Sequence, residues 1–251
     1  MTNASLAEPE MNPAARCPCC GSRGGTRFST GLWKALGEEW GLSEEEYEYT
    51  DHQQSESCVG CGANLRSQAL ALAILRTAGH RGTLRQFART VRGRLLRILE
   101  INEAGQLTRF FARRSRHQCR SYPELDMMHM VDVPTGYYDF VIHSDTLEHV
   151  PEPVKGLAEC CRVLRTGGAC CFTVPMIVGR LSRTRQGLPP SYHGTPGNPE
   201  EGNRVWTEYG ADTWRQVLSA GFAECRIVAI RPPVAHAFIG IKGHGGPAET
   251  E

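Results

Sequence analysis
The stretch from Asp139 to Pro175, DFVIHSDTLEHVPEPVKGLAECCRVLRTGGACCFTVP, constrains this chain more than any other. The short apolar run from Tyr138 to His143, bounded by turn residues, has the pattern of a strand buried on both faces. From Pro153 to Leu164, apolar residues at Val154, Leu157, Ala158, Cys161 and Leu164 keep helical spacing. Gly167 and Gly168 read as the stop of that helix, with Arg162 and Arg165 in its last turn, where the macrodipole favours cations. The following ACCFTVP reads as a second buried strand closed by Pro175. Strand, helix and strand in this order make a βαβ unit and imply a parallel sheet.

The ordered set from Asp139 through Leu147, Glu148 and His149 to Arg162, Val163, Leu164 and the Gly167-Gly168 pair resembles class I S-adenosylmethionine-dependent methyltransferases of the broad type 11 group. The resemblance covers roughly residues 94–241 and is strongest from 138 to 222. It implies an α/β fold, a Rossmann-like doubly wound sheet that is mostly parallel with an antiparallel last strand. It implies methyl transfer to an acceptor, with a small molecule or saccharide as the expected class.

Arg94 to Ile101, RLLRILEI, reads as the first strand of that sheet. In the family this strand ends in an acidic residue, matched by Glu100, and opens into a glycine-rich turn around the cofactor. Asn102, Glu103, Ala104, Gly105 and Gln106 stand there instead. Asn102 and Gly105 tolerate the left-handed backbone such a turn needs, whereas Ala104 and Gln106 do so poorly. Either the loop takes another path or cofactor binding is weakened or lost.

A helix over about 107–114 follows. Glu124 then matches the family carboxylate that accepts hydrogen bonds from the ribose, with Tyr122 beside it to cover the cofactor and Asp126 near the adenine; the alternative is a pair of turn carboxylates facing water. Ser144 and Asp145 fall at the carboxyl end of the Tyr138 strand, the edge where ligands of open α/β sheets sit. Glu148 and His149 are pocket candidates by the same resemblance, and His149 is open to a catalytic or a structural reading. The glycine- and proline-rich stretch from Met176 to Trp206 carries Tyr192 and His193 as substrate-side candidates. His193 reads either as the base that takes a proton from the nucleophile or as a loop-stabilising residue. Trp214 to Phe222 reads as the last helix, and ECRIVAIRP and AHAFIGIKG as two closing strands paired antiparallel across Pro232 and Pro233.

Upstream, Cys17-Pro18-Cys19-Cys20-Gly21 and Cys58-Val59-Gly60-Cys61-Gly62 form two C-x-x-C pairs, each followed by glycine. That pattern suits a structural Zn²⁺ held by Cys17, Cys20, Cys58 and Cys61 in a zinc ribbon, with Cys19 spare. Free structural cysteines and a redox pair are the alternatives. The acidic residues 38–48 read as a solvated insert. A helix from Leu65 to Ala78, capped by Asn64, is expected to join the ribbon to the main domain, and Thr83 to Gln86 has the capping-box pattern of another. The chain thus divides into a disordered tail (1–15), a zinc-ribbon-like module (16–63), connecting helices (64–93), the methyltransferase-like domain (94–242) and a second tail (243–251).

Composition bounds the partners. A formal net charge of +1 over 251 residues argues against a chain-wide nucleic-acid footprint, although Arg81, Arg85, Arg89 and Arg92 form a row able to meet phosphates. No apolar run reaches a membrane span. Eleven cysteines with no signal pattern point to a reducing compartment, by default the cytoplasm. Two readings compete with the enzyme: an inactive methyltransferase-like binding module, motivated by the turn at 102–106, and a zinc-ribbon nucleic-acid binder, motivated by the arginine row.

Overall fold
The computed structural model describes residues 16–29, 34–112, 115–193, 201–231 and 235–244. Both expected terminal tails, apart from Gly243 and His244, and the Pro232-Pro233 link lie outside the described residues. Four strands of the central sheet follow the βαβ logic: β1 (Ile98–Ile101), β2 (His117–Arg120), β3 (Tyr138–Ser144) and β4 (Leu164–Thr173). They are closed by β5 (Glu224–Ile230) and β6 (Ala235–Ile241). The spatial order is β2-β1-β3-β4-β6-β5. β1 runs parallel to β2 and β3, β3 runs parallel to β4, and β6 returns antiparallel between β4 and β5. The mostly parallel sheet with its antiparallel closing strand agrees with the sequence reading. β1 is fully buried along its length, as a strand covered on both faces must be.

Helix α2 (Leu65–Thr77) starts where expected, its Asn64 side chain accepting from the Ser67 amide. It is not a mere connector: Leu65, Leu70, Ile74 and Leu75 pack into one core with Ile98, Phe140, Ile142, Cys171 and Ile239 of the sheet. The other face is covered by α3 (Pro153–Val163), whose Leu157, Cys160 and Val163 meet Leu99, Val141 and Phe172. Cys160 and Cys170 on this face and Cys171 on the α2 face are fully buried and act as small hydrophobes; burial drives the Cys171 thiol up to about 12.

Three local expectations change. Residues 94–97 are not strand: Val91–Leu95 is a short helix capped by Thr90, and β1 begins at Ile98. The arginine row at 81–92 does not lie on one helix, because Leu84–Phe87 and Val91–Leu95 are separate pieces. Val91 and Leu95 are consequently exposed. Gly167 and Gly168 do not stop α3, which ends at Val163; they lie inside β4, next to the register shift opposite Tyr138 and Phe140. The acidic insert is exposed at Glu38, Glu39, Glu44, Glu45 and Glu48, as expected, but it also packs inward. Helix α1 (Glu44–Ser55) lies against the segment after β4, where Gln53 bonds the Met176 carbonyl and amide and Trp40 is buried with Ile177 and Val205.

Arg180 fastens the insert. Its guanidinium donates to both Glu46 carboxylate oxygens at 2.6 Å and to the Trp40 and Gly41 carbonyls. The Arg180 bonds hold the Glu46 carboxyl below its usual range. A lowered folded-state pKa adds stability that is present above the unfolded value and is lost as pH falls through the folded one. Glu46→Gln, which resembles the protonated acid, should therefore be about 1 kcal/mol less stable than wild type at neutral pH. The gap should close in acid; denaturant melts at the two pH values measure it. Among the described residues no helix is long and apolar enough to cross a membrane.

Candidate functional site
The carboxyl ends of β1 and β3 open onto a cavity of about 180 Å³. Ile101, Asn102, Tyr122, Asp126 and Met127 form one side, and Thr146, His149 and Trp206 the other. The turn after β1 explains how it forms despite its missing glycines. Asn102 (φ 57°), Glu103 (φ 48°) and Gly105 (φ 56°) all take the left-handed conformation, and the Asn102 side chain accepts from the Tyr122 amide at 2.8 Å. Glu100 is fully buried beneath the turn. One carboxylate oxygen accepts from the Ala104 amide at 2.6 Å and from the Thr108 hydroxyl, and the other meets His117 Nε2 at 2.6 Å. Glu100 thus shapes the turn from below. Gly105 has no room for a side chain, since a Cβ there would stand 2.8 Å from Ser67 Oγ.

Asn102, Tyr122, Asp126 and His149 therefore share one cavity, with Gly105 and Glu100 behind its wall. Asp126 Oδ1 accepts from the Met128 amide at 2.8 Å, which leaves its other oxygen toward His129. Glu124 is exposed and does not line the wall; its carbonyl accepts from Arg120. Ser144 bonds the Thr173 hydroxyl at 2.7 Å, and Asp145, at φ 51°, pairs with Arg66. Tyr192 lies outside the wall, in a two-residue strand paired with Arg204 and Val205.

The 3₁₀ turn Leu147–His149 carries the second cluster. Leu147 and Glu148 turn into the core and His149 turns to the cavity. His193 reaches the same point, its Nδ1 3.7 Å from Glu148 Oε1, while His149 Nε2 lies 3.7 Å from that oxygen. Burial pushes the His193 ring well below, and the Glu148 carboxyl above, their ordinary values. Sequence reasoning missed Arg66, which is buried on α2, contacts Asp145 and Gln54, and is drawn down by burial to about 9. An arginine in an otherwise small and apolar helix start was the available signal. It missed Thr146 as a wall residue as well, which carries no motif, whereas Trp206 ends the stretch read as lying on the substrate side.

The cysteine pairs converge. Cys17 Sγ and Cys61 Sγ are 3.7 Å apart, Cys20 Sγ and Cys58 Sγ 3.8 Å, and all four sulfurs lie within 4.8 Å of one another. The edge of a tetrahedron with zinc–sulfur bonds of about 2.3 Å is about 3.8 Å. Gly21 (φ 86°) and Gly62 (φ 69°) allow the two tight turns. Cys19 is buried beside the cluster, its side chain next to Cys17 and Cys61 and its thiol toward the Ser67 carbonyl.

A family model described as a methyltransferase domain matches residues 58–172, somewhat under half the chain. The match runs from the second cysteine pair through α2 and the turn at 102–105 to β4. The fold is accordingly the α/β methyltransferase fold, and the match supports S-adenosylmethionine as its cofactor. No curated protein matches the chain at a significant level. Similar solved structures include an arsenic(III) S-adenosylmethionine methyltransferase from Chlamydomonas reinhardtii, at 16% identity and a TM-score of 0.37, covering 62% of this chain and 65% of that one. Another is the 1,6-didemethyltoxoflavin-N1-methyltransferase of Burkholderia thailandensis with bound S-adenosylhomocysteine, at 14% identity and a TM-score of 0.37, covering 64% and 78%. The chain spans under two thirds of the first of these, and at such distances no substrate or partner transfers to it.

Proposed function
We propose that this chain transfers the methyl group of S-adenosylmethionine to a small hydroxyl-bearing acceptor that enters beside His149 and Trp206. The left-handed turn at residues 102–105, seated on Glu100 and opening onto the cavity, carries this reading. It gives the bare backbone approach that a nucleotide-like ligand needs although only one glycine is present. The residues fit the cofactor: Gly105 gives the turn the left-handed backbone it needs, Asn102 lines the cavity and Tyr122 offers an aromatic face. Asp126 presents a carboxylate to hydroxyl donors. When bound, S-adenosylmethionine supplies an already activated methyl group, so the protein chiefly has to align and desolvate. Ile101, Leu125 and Met127 exclude water on one side, and His149 borders the acceptor side.

Cys17, Cys20, Cys58 and Cys61 are proposed to hold one structural Zn²⁺, a closed four-thiolate site without chemistry of its own. Elemental analysis should return at least one zinc per chain.

Calorimetric titration with S-adenosylhomocysteine should show micromolar binding. Gly105→Val should abolish it, by strain and by collision with Ser67, and Asp126→Asn should weaken it about tenfold, the worth of one bond to a charged acceptor. A folded wild-type sample that takes up neither cofactor nor product would sink the enzyme reading and favour the binding module.

A further inference from the structure
Glu148 is 1% exposed, and neither carboxylate oxygen accepts a hydrogen bond among the described residues. A buried carboxylate in that condition is costly unless something compensates it. The nearest groups are His149 Nε2 and His193 Nδ1, both 3.7 Å from Oε1, too long for hydrogen bonds. Arg66 favours the charged form of Glu148 across the cluster but makes no hydrogen bond to it, its guanidinium contacting Asp145 and Gln54 instead. The tautomer of His149 follows from its neighbour. Its Nδ1 lies 2.9 Å from the Arg204 carbonyl, which can only accept, so Nδ1 carries the proton and the Nε2 lone pair is left to face Glu148. A histidine fixed through one nitrogen by a carbonyl, with the other turned to a shared point, is the arrangement in which metal-ligating histidines are held.

We propose that Glu148, His149 and His193 form a second metal site, a two-histidine, one-carboxylate set for a divalent transition ion such as Zn²⁺, Fe²⁺ or Mn²⁺. One atom from each residue lies within 4.8 Å of the other two. The 3.7 Å separations exceed the edge of a tetrahedron with bonds of about 2.0 Å, about 3.3 Å, by a few tenths of an ångström, which small side-chain rotations close. The two rings stand edge to face with centroids 4.9 Å apart, so both can address one ion without overlapping. Three protein ligands leave coordination positions open, and imidazole with carboxylate suits borderline ions rather than calcium or magnesium. His149 also belongs to the cavity wall, so the cluster borders the space lined by Trp206 and Thr146. On the methyltransferase reading, an acceptor with a hydroxyl or carboxylate oxygen would be the ligand that completes the site.

The test uses the full-length protein with its cysteine site filled by zinc, titrated with Co²⁺ as the probe and read by visible absorption. One equivalent of Co²⁺ should enter an oxygen- and nitrogen-ligated environment, giving d–d bands without thiolate charge transfer. Glu148→Gln and His193→Ala should each weaken that uptake at least tenfold, while one equivalent of zinc remains as the check on folding. Paramagnetically shifted resonances from two histidine rings in the wild-type Co²⁺ form give the same answer should either variant fail to fold. No d–d band at millimolar Co²⁺, or uptake unchanged in both variants, would overturn the site. Neither readout requires S-adenosylmethionine, so loss of the enzyme reading would leave this result standing, and the reverse.

Discussion

Cys58→Ser is expected to lower the melting temperature by about 10 °C and to weaken S-adenosylhomocysteine binding about tenfold, although Cys58 is not a residue of the cofactor cavity. The first effect follows from the proposed zinc. Structural zinc contributes about 10 kcal/mol or more in isolated finger peptides, and breaking one ligand forfeits a large part of it. A loss of about 3–4 kcal/mol in a chain of this size corresponds to roughly 10 °C. The second effect follows from what the cysteine turns hold. The Arg109 guanidinium donates to the Cys61 carbonyl, and the Cys19 thiol points to the Ser67 carbonyl. Ser67 Oγ in turn accepts from the Gln106 amide, one residue beyond Gly105. The Leu84 and Arg85 amides bond the Pro18 and Cys19 carbonyls, so the first cysteine turn is also stitched to a neighbouring helix. Relaxing the cluster therefore releases the cofactor turn from behind. A serine variant is preferred to a chelator because a chelator would empty the histidine site as well. Unchanged cofactor affinity in a destabilised Cys58→Ser protein would show that the cluster staples the chain without supporting the turn.

The parts of the fold that were legible in the sequence are those set by local patterns. The buried runs of β3 and β4, the amphipathic α3 and the Asn64-capped α2 each carry their periodicity within a dozen residues. The cysteine set was legible because two tight turns with glycine have a fixed spacing. Long-range pairing was not. Residues 38–48 read as solvated, and Glu38, Glu39, Glu44, Glu45 and Glu48 are exposed, yet Glu46 meets Arg180, 134 positions later. Gln53 meets Met176 and Trp40 donates to Ser191 in the same way. The turn at 102–106 read as a departure because propensity disfavours left-handed residues other than glycine. Here Glu100 from below and the Tyr122 amide on the Asn102 side chain hold the backbone, and the tertiary bonds outweigh that preference. Arg66 was hidden for the opposite reason: at the start of a helix it reads as a surface cation, and only the fold turns it inward.

Arg66→Met should be the most destabilising single change outside the apolar core, by about 3–5 kcal/mol, the usual cost of removing one partner from a buried charge pair. Arg66 is the nearest cation to two carboxylates that the end of β3 and the following turn bring close to it, Asp145 by direct contact and Glu148 across the cluster. Burial draws its guanidinium down to about 9, still above neutral pH, so it stays charged and offsets them. Methionine fills the volume and removes the charge, leaving both acids to repel each other in a poorly solvated corner. Asp145→Asn in the Arg66→Met background should return part of the loss, because it removes the partner that was in contact; a double-mutant cycle by denaturant melts isolates that term. Glu148 supplies the second part, and its recovery separates two accounts of the cluster. With an ion held by Glu148, His149 and His193, added Zn²⁺ restores stability to Arg66→Met in proportion to the logarithm of its concentration, since it binds the folded state and supplies the missing positive charge. Without such a site, zinc beyond that held by the cysteines leaves the variant unchanged. A single variant that melts within about 1 kcal/mol of wild type would mean that Asp145 is sufficiently solvated at its exposed edge to do without Arg66, and the arginine would then have to be kept for a ligand rather than for the fold.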